Sequence, residues 1–169
     1  MSDAHEEAGA GFGFLYRTDA GRIGRAVWWR GVATLALPLV VLTGICLALA
    51  PYTRRELTKG SALIEPAAFA AYAYLLVYAF AVIFIAISFY NLSAKRFRDR
   101  ARPPSLAGLV PLFAFLAGAV HWFVPQSEGT VPYAAALAVD ALLIAAIGYT
   151  VWELGFGADG AGSGAPARR

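Results

Sequence analysis

The sequence predicts an all-α integral membrane bundle of four transmembrane helices, with both termini on the cytoplasmic side. Three observations carry this reading. Of the 169 residues, 59% are apolar, against about 45–50% in soluble domains. Only 15% are charged, against about 25% in such domains. The apolar residues also gather in four runs, each long enough to cross about 30 Å of hydrocarbon, which takes about 20 residues at about 1.5 Å apiece. A single Cys and 2 His exclude a disulfide scaffold and a zinc module, which needs three or four converging ligands.

The elements follow in order along the chain. Residues 1–13 are small and acidic (Asp3, Glu6, Glu7) and read as a disordered tail before a transmembrane domain at 14–156. The first span, 27–50, opens with Trp28 and Trp29, suited to a membrane interface, and closes at Pro51 and Tyr52. It lies too far into the chain, and is too long, for the apolar core of a signal peptide. The second span, 67–88, is rich in aromatics (Phe69, Tyr72, Tyr74, Tyr78, Phe80, Phe84), and its helix continues into water as far as Arg100, before Pro103 and Pro104. The third, 106–124, carries Pro111 one turn inside. The fourth, 132–152, starts on Pro132, whose fixed φ suits a first helical position. Residues 157–169 are Gly- and Ala-rich and read as a flexible tail. Residues 77–87 contain no charge, so the polar stripe of a soluble amphipathic helix is missing.

Orientation follows from the basic residues beside the spans. Of 14 Lys and Arg residues, only Arg54, Arg55 and Lys59 fall on one side; the rest, Arg17, Arg22, Arg25, Arg30, Lys95, Arg96, Arg98, Arg100, Arg102, Arg168 and Arg169, fall on the other. The positive-inside rule makes the richer side cytoplasmic. The loop 51–66 and the turn 125–131 then face outward, and the last two spans form a hairpin.

Asp140 is the one acid deep in a span, where an ionised carboxylate costs about 2.5–3.5 kcal/mol on insertion scales. Counting the helical rise from the outer ends puts it at a depth of about 12 Å, with Thr43 and Tyr74 at about 10 Å and Tyr78 one turn beyond. A polar cluster of Asp140, Thr43, Tyr74 and Tyr78 is therefore expected. It serves either as a proton or cation relay, or as a hydrogen-bonded register between helices. His121, about 4.5 Å from the end of its span and beside Trp122, reads as an interfacial anchor, set apart in depth from Asp140. Cys46 reads as a small buried hydrophobe. Ala114 and Gly118, with Ala134/Ala138 and Ala141/Ala145, are small residues four apart that let helix backbones approach.

The basic face is the other candidate site. On a helix continuing the second span, Lys95, Arg98 and Arg102 fall on one stripe, with Asp99 placed to pair with Lys95 or Arg102, while Arg96 and Arg100 point elsewhere. Arg22 and Arg25 share a face, with Trp28 and Trp29 a turn later and able to stack on Arg25. Juxtamembrane arginines attract anionic head groups at roughly 1 kcal/mol each, although the same residues also set topology. No recognition motif for nucleic acid accompanies them.

The stretch Gly21-Arg22-Ile23-Gly24-Arg25 followed by Trp28-Trp29, and the stretch Ala94-Lys95-Arg96-Phe97-Arg98-Asp99-Arg100, resemble those of DUF805, a family of uncharacterised bacterial inner-membrane proteins, along residues 14–156. The resemblance implies about four spans and an inner-membrane location, and no reaction. This chain has Arg98 where the family pattern has His, Ala101 where it has Gly, and Pro103-Pro104-Ser105 where it has Ser-Gly-Trp. After Phe156 a Gly/Ala tail stands where the family ends on an Asn-x-Tyr-Gly pattern. Any activity resting on that His, or on that Asn and Tyr, is absent here.

The expected function is that of a non-catalytic inner-membrane protein, without a cofactor, whose cytoplasmic residues Arg22, Arg25, Trp28, Trp29, Lys95, Arg96, Arg98, Asp99, Arg100 and Arg102 meet anionic lipid or a protein partner, a second copy included. The alternative is a small transporter or proton-coupled permease using Asp140. No paired acids, activated nucleophile or metal set supports an enzyme.

Overall fold

The computed structural model describes residues 11–53, 66–127 and 130–157. Residues 1–10, 54–65, 128, 129 and 158–169 lie outside the described residues, and with them most of the two segments read as tails and Arg54, Arg55, Lys59, Arg168 and Arg169. Everything described is helix or connecting turn, with no strand. Helix α1 (Phe12–Tyr16) starts just before the boundary expected at residue 14. Helix α2 (Arg25–Thr53) and helix α3 (Pro66–Asp99) follow. A 3-10 turn, Pro104–Gly108, then leads into α4 (Leu109–Phe123). A second 3-10 turn, Val124–Gln126, precedes α5 (Tyr133–Thr150), which runs into a π-helical turn at Val151–Phe156.

Four helical stretches are long and apolar enough to cross a membrane: Arg25–Tyr52, Pro66–Asp99, Pro104–Phe123 and Tyr133–Phe156. Each contains a span read from the sequence or matches it within a few residues. Helix α3 has 34 residues, which at the helical rise is about 51 Å, well beyond the hydrocarbon thickness of about 30 Å. Its second half therefore continues past the span, as the proline stop implied.

The distribution of side chains is the reverse of a soluble protein's. Leu37, Leu47, Phe69, Phe84, Phe115 and Ile144 point outward, each more than two-thirds exposed, while Lys95 and Arg96 are wholly buried. Continuous apolar surface of this kind belongs against lipid. The chain is that of a multi-pass membrane protein.

Contacts divide the chain into two compact units. Within the described residues, one comprises 11–32 and 87–157, and the other 33–53 and 66–86. The first has its core in Tyr16, Ile23, Trp28, Leu92, Ala94, Phe97, Ala107 and Leu154. The second has no charged residue among those described, and its polar atoms are spent on local hydrogen bonds.

Candidate functional site

Helix α3 ends in a backbone arrangement that places its basic residues. The amide of Arg102 donates to the carbonyl of Phe97 at 2.8 Å, and that of Ala101 to Arg98 at 3.1 Å. These are the two bonds of a Schellman cap, whose penultimate residue must adopt a left-handed conformation. Ala101 does so, with φ of 54°. The cap turns the chain away after Asp99 and aims Arg100 and Arg102 back toward the end of the last helix.

There they meet Glu153. Its Oε1 lies 3.2 Å from Arg100 Nε and accepts from Arg102 Nε at 3.1 Å. Arg96, 0% exposed, is paired with Asp99 one turn along α3. The same guanidinium donates to the carbonyls of Leu154 at 3.2 Å and Gly157 at 3.1 Å. Trp29 Nε1 donates to the carbonyl of Gly155 at 3.2 Å. A helix end leaves its last carbonyls without partners, and here Arg96 and Trp29 supply them from distant parts of the chain.

A second face of α3 holds the amino-terminal segment. Asn91, Lys95 and Arg98 recur at helical spacing. Asn91 Nδ2 donates to the carbonyl of Tyr16 at 2.8 Å, and Lys95 Nζ to those of Leu15, at 3.3 Å, and Thr18. Arg98 donates to the Asp19 carbonyl and, at 2.7 Å, to its carboxylate. The Arg98 guanidinium beside it holds the Asp19 carboxyl below its usual range. The Lys95 ammonium also lies 5.1 Å from the centre of the Phe14 ring.

These contacts correct the expectation of a lipid-facing basic stripe. Lys95, Arg96 and Asp99 are buried and bonded within the chain. Asp99 pairs with Arg96, not with Lys95 or Arg102, and Arg96 points into the protein. Trp28 is 1% exposed and donates to Ser93 Oγ at 3.4 Å, so it is a core residue and not an interfacial one. Trp29 keeps 40% of its surface exposed, as does much of Phe156 beside it. Arg17, Arg22, Arg25 and Arg30 are exposed. Gly155 and Gly157 provide two of the acceptors, and Gly157 is the first residue of the segment read as a flexible tail. Sequence reasoning missed Asp19, Asn91, Ser93 and Glu153. The signal was a polar run at the C-terminal end of a helix that reads as leaving the membrane, and an acid at the end of the last span.

The intramembrane cluster is also rearranged. His121 Nε2 lies 2.9 Å from Asp140 Oδ2 and 3.1 Å from Oδ1, so the carboxylate is engaged by the neighbouring helix α4. Thr43 and Tyr78 hydroxyls bond each other at 3.1 Å, Tyr74 donates to the Leu42 carbonyl at 2.6 Å, and the two tyrosine rings stack. The depth argument against a His121–Asp140 pair fails: α4 packs closely against α5, and counting residues from the span ends does not fix which side chains meet across that contact. Among the described residues, no group of three or more His, Cys, Asp or Glu side chains could hold a metal.

Residues 16–149 match the family model for proteins of unknown function named DUF805. The chain belongs to the DUF805 family. No curated protein and no solved structure matches it. The geometry gives the two DUF805-like stretches a physical role. Gly21 has φ of +100°, a turn that a side chain resists, and it leads the strap held by Lys95 and Arg98 into α2. The second stretch forms the buried polar knot and its cap. Glu153, Leu154 and Gly155, which complete that knot, lie beyond the matched DUF805 residues.

Proposed function

We propose that this DUF805 protein is a non-catalytic protein of the bacterial inner membrane, with its arginine-rich end on the cytoplasmic side holding anionic lipid head groups. One observation carries the reading: Arg17, Arg22, Arg25 and Arg30 are exposed around the start of α2, next to the partly exposed Trp29. Guanidinium groups at that level attract lipid phosphate at roughly 1 kcal/mol each, and an exposed indole suits the interface. Lys95, Arg96 and Asp99 take no part; they build the platform on which the exposed arginines stand. The positive-inside count supports the orientation. A protein partner on the same face is the competing occupant.

The test is lipid retention. Protein reconstituted in nanodiscs of mixed neutral and anionic phospholipid is released and weighed by native mass spectrometry. Replacing Arg17, Arg22 and Arg25 together with Gln should remove at least half of the retained anionic lipid and leave helix content unchanged. Equal retention would sink the lipid reading. A protein retained at fixed stoichiometry after extraction from native membranes would favour the partner instead.

A second reading, a small proton-coupled permease, is favoured by the acid–base pair of His121 and Asp140 within apolar helices. In reconstituted vesicles Asp140→Asn should then abolish flux, and equal flux in both proteins would remove that reading.

A further inference from the structure

We propose that α1 is a lipid anchor, with Phe12 and Phe14 seated at the boundary between head groups and acyl chains on the arginine-rich side of the membrane. The rings of Phe12 and Phe14 are 66% and 39% exposed, while Tyr16 on the same short helix is buried. Two open phenylalanines on five residues are apolar surface that the chain itself leaves uncovered. The level at which that surface lies decides what covers it.

Helix α3 gives that level. Asn91, just past the apolar half of the helix, donates to the Tyr16 carbonyl at 2.8 Å. Lys95 takes the carbonyls of Leu15 and Thr18, and Arg98, nearest the end of α3, takes that of Asp19. Asn91 and Arg98 stand about 10 Å apart along the helix. The segment 16–19 therefore rises from the membrane side at Tyr16 to the water side at Asp19, and α1 lies at its membrane end. Helix α2 fixes the same level independently. The Tyr16 hydroxyl donates at 3.4 Å to the carbonyl of Gly31, about 9 Å inside α2 from its first residue, Arg25. The Phe12 ring packs on Tyr16 with 5.0 Å between centres and so shares that depth.

Other open rings mark an interface at this end. Trp29, Trp152 and Phe156 are exposed, with 6.3 Å between neighbouring centres, and aromatic belts of this kind lie where the apolar phase meets water. Arg17 follows Tyr16 directly and is exposed, so its charge can reach head groups while its stem lies on apolar surface. Aromatic rings beside a cation are the pattern of an interfacial helix. Helix α1 goes no deeper than the boundary, because the ends of so short a helix leave backbone groups without internal partners and hydrocarbon offers none. Phe14 is partly covered, with Lys95 Nζ 5.1 Å from its ring centre, so Phe12 makes the larger lipid contact. This contact goes beyond head-group retention, since it needs apolar lipid whatever its charge.

The experiment uses the full chain in nanodiscs of neutral phospholipid. Labelling glycine carbonyls with carbon-13 and phenylalanine amides with nitrogen-15 isolates by NMR the phenylalanines that follow a glycine, namely Phe12, Phe14 and Phe156. Phe12→Leu and Phe14→Leu tell the signals apart. Two relaxing agents are then added to the native chain in separate samples, a lipid with a nitroxide high on its acyl chain and a gadolinium chelate confined to water. The Phe12 signal should lose at least half its intensity to the nitroxide and clearly less to gadolinium, with Phe14 following in the same direction. A Phe12 signal attenuated by gadolinium as much as by the nitroxide, or more, would overturn the proposal. A signal spared by both would also overturn it, in favour of a protein cover such as a second copy. Neutral lipid keeps this outcome separate from the arginine reading: a lipid-inserted Phe12 with no retention of anionic lipid keeps the anchor and removes that reading, and the opposite pair of results does the reverse.

Discussion

Arg96 Nε donates to the carbonyl of Leu154 at 3.2 Å across 58 residues of chain, and so ties the C-terminal end of α3 to the end of the last helix. The guanidinium is wholly buried and also holds Asp99 and the Gly157 carbonyl. Removing the cation strands a buried carboxylate and leaves carbonyls without a donor. Arg96→Gln should cost about 3–5 kcal/mol of stability, read from unfolding in detergent or bicelles. Arg96→Lys should recover only part of it, because an ammonium cannot reproduce a planar fork. A loss below about 1 kcal/mol, within reach of an exposed ion pair, would show that the knot is not a structural centre.

Ala101 holds the left-handed position of the α3 cap with φ of 54°. An L residue there is strained by roughly 1–2 kcal/mol relative to glycine, which gives part back through a more flexible unfolded chain. Ala101→Gly should raise stability by about 1 kcal/mol without altering the spans. A destabilised Gly variant would mean that the cap is not formed as described.

Gly155 is buried against the indoles of Trp29 and Trp28: a Cβ there would lie 2.7 Å from Trp29 Cζ2 and 3.3 Å from Trp28 Cζ3. Rings packed on a helix end give way less easily than a flexible chain. Gly155→Ala should destabilise by about 1–3 kcal/mol, the usual cost of overpacking, and should alter tryptophan fluorescence. Unchanged emission and stability would place the indoles elsewhere.

The strap at residues 14–19 should respond to acid. Arg98 lowers the Asp19 carboxyl from its ordinary 3.8, chiefly by a hydrogen bond to the ionised form. A folded-state value below the unfolded one adds stability that is complete above 3.8 and disappears as pH falls through the lowered value. The strap should therefore hold at pH 5 and loosen only below about pH 4, as seen in amide exchange or in the NMR signals of Phe14 and Tyr16. Asp19→Asn should loosen it at neutral pH and erase the acid step. Identical profiles for the two proteins would show that the pair contributes nothing.

Much of the architecture was legible without coordinates. Four apolar runs, the proline stop after Arg102 and the imbalance of basic residues follow from composition along the chain. Lipid enforces helices wherever backbone must cross it. The candidate sites were legible only as residue types. Lys95, Arg96 and Asp99 look solvated because a charge cluster beyond an apolar run usually is. What buries them is the arrival of residues 14–19 and 151–157, distant in sequence. Likewise Asp140 stands out by its chemistry alone, and counting from the span ends places its partner His121 at a different depth.

The sequence by itself determined where the chain enters and leaves the apolar phase, because burial of apolar side chains and the helical rise act locally, residue by residue. Only the tertiary structure decided which polar groups meet. Pairing depends on helix rotation, on the left-handed cap at Ala101 and on contacts across dozens of residues. A hydrogen bond that forms at about 3 Å is lost within another ångström, a tolerance finer than any count along the chain can reach.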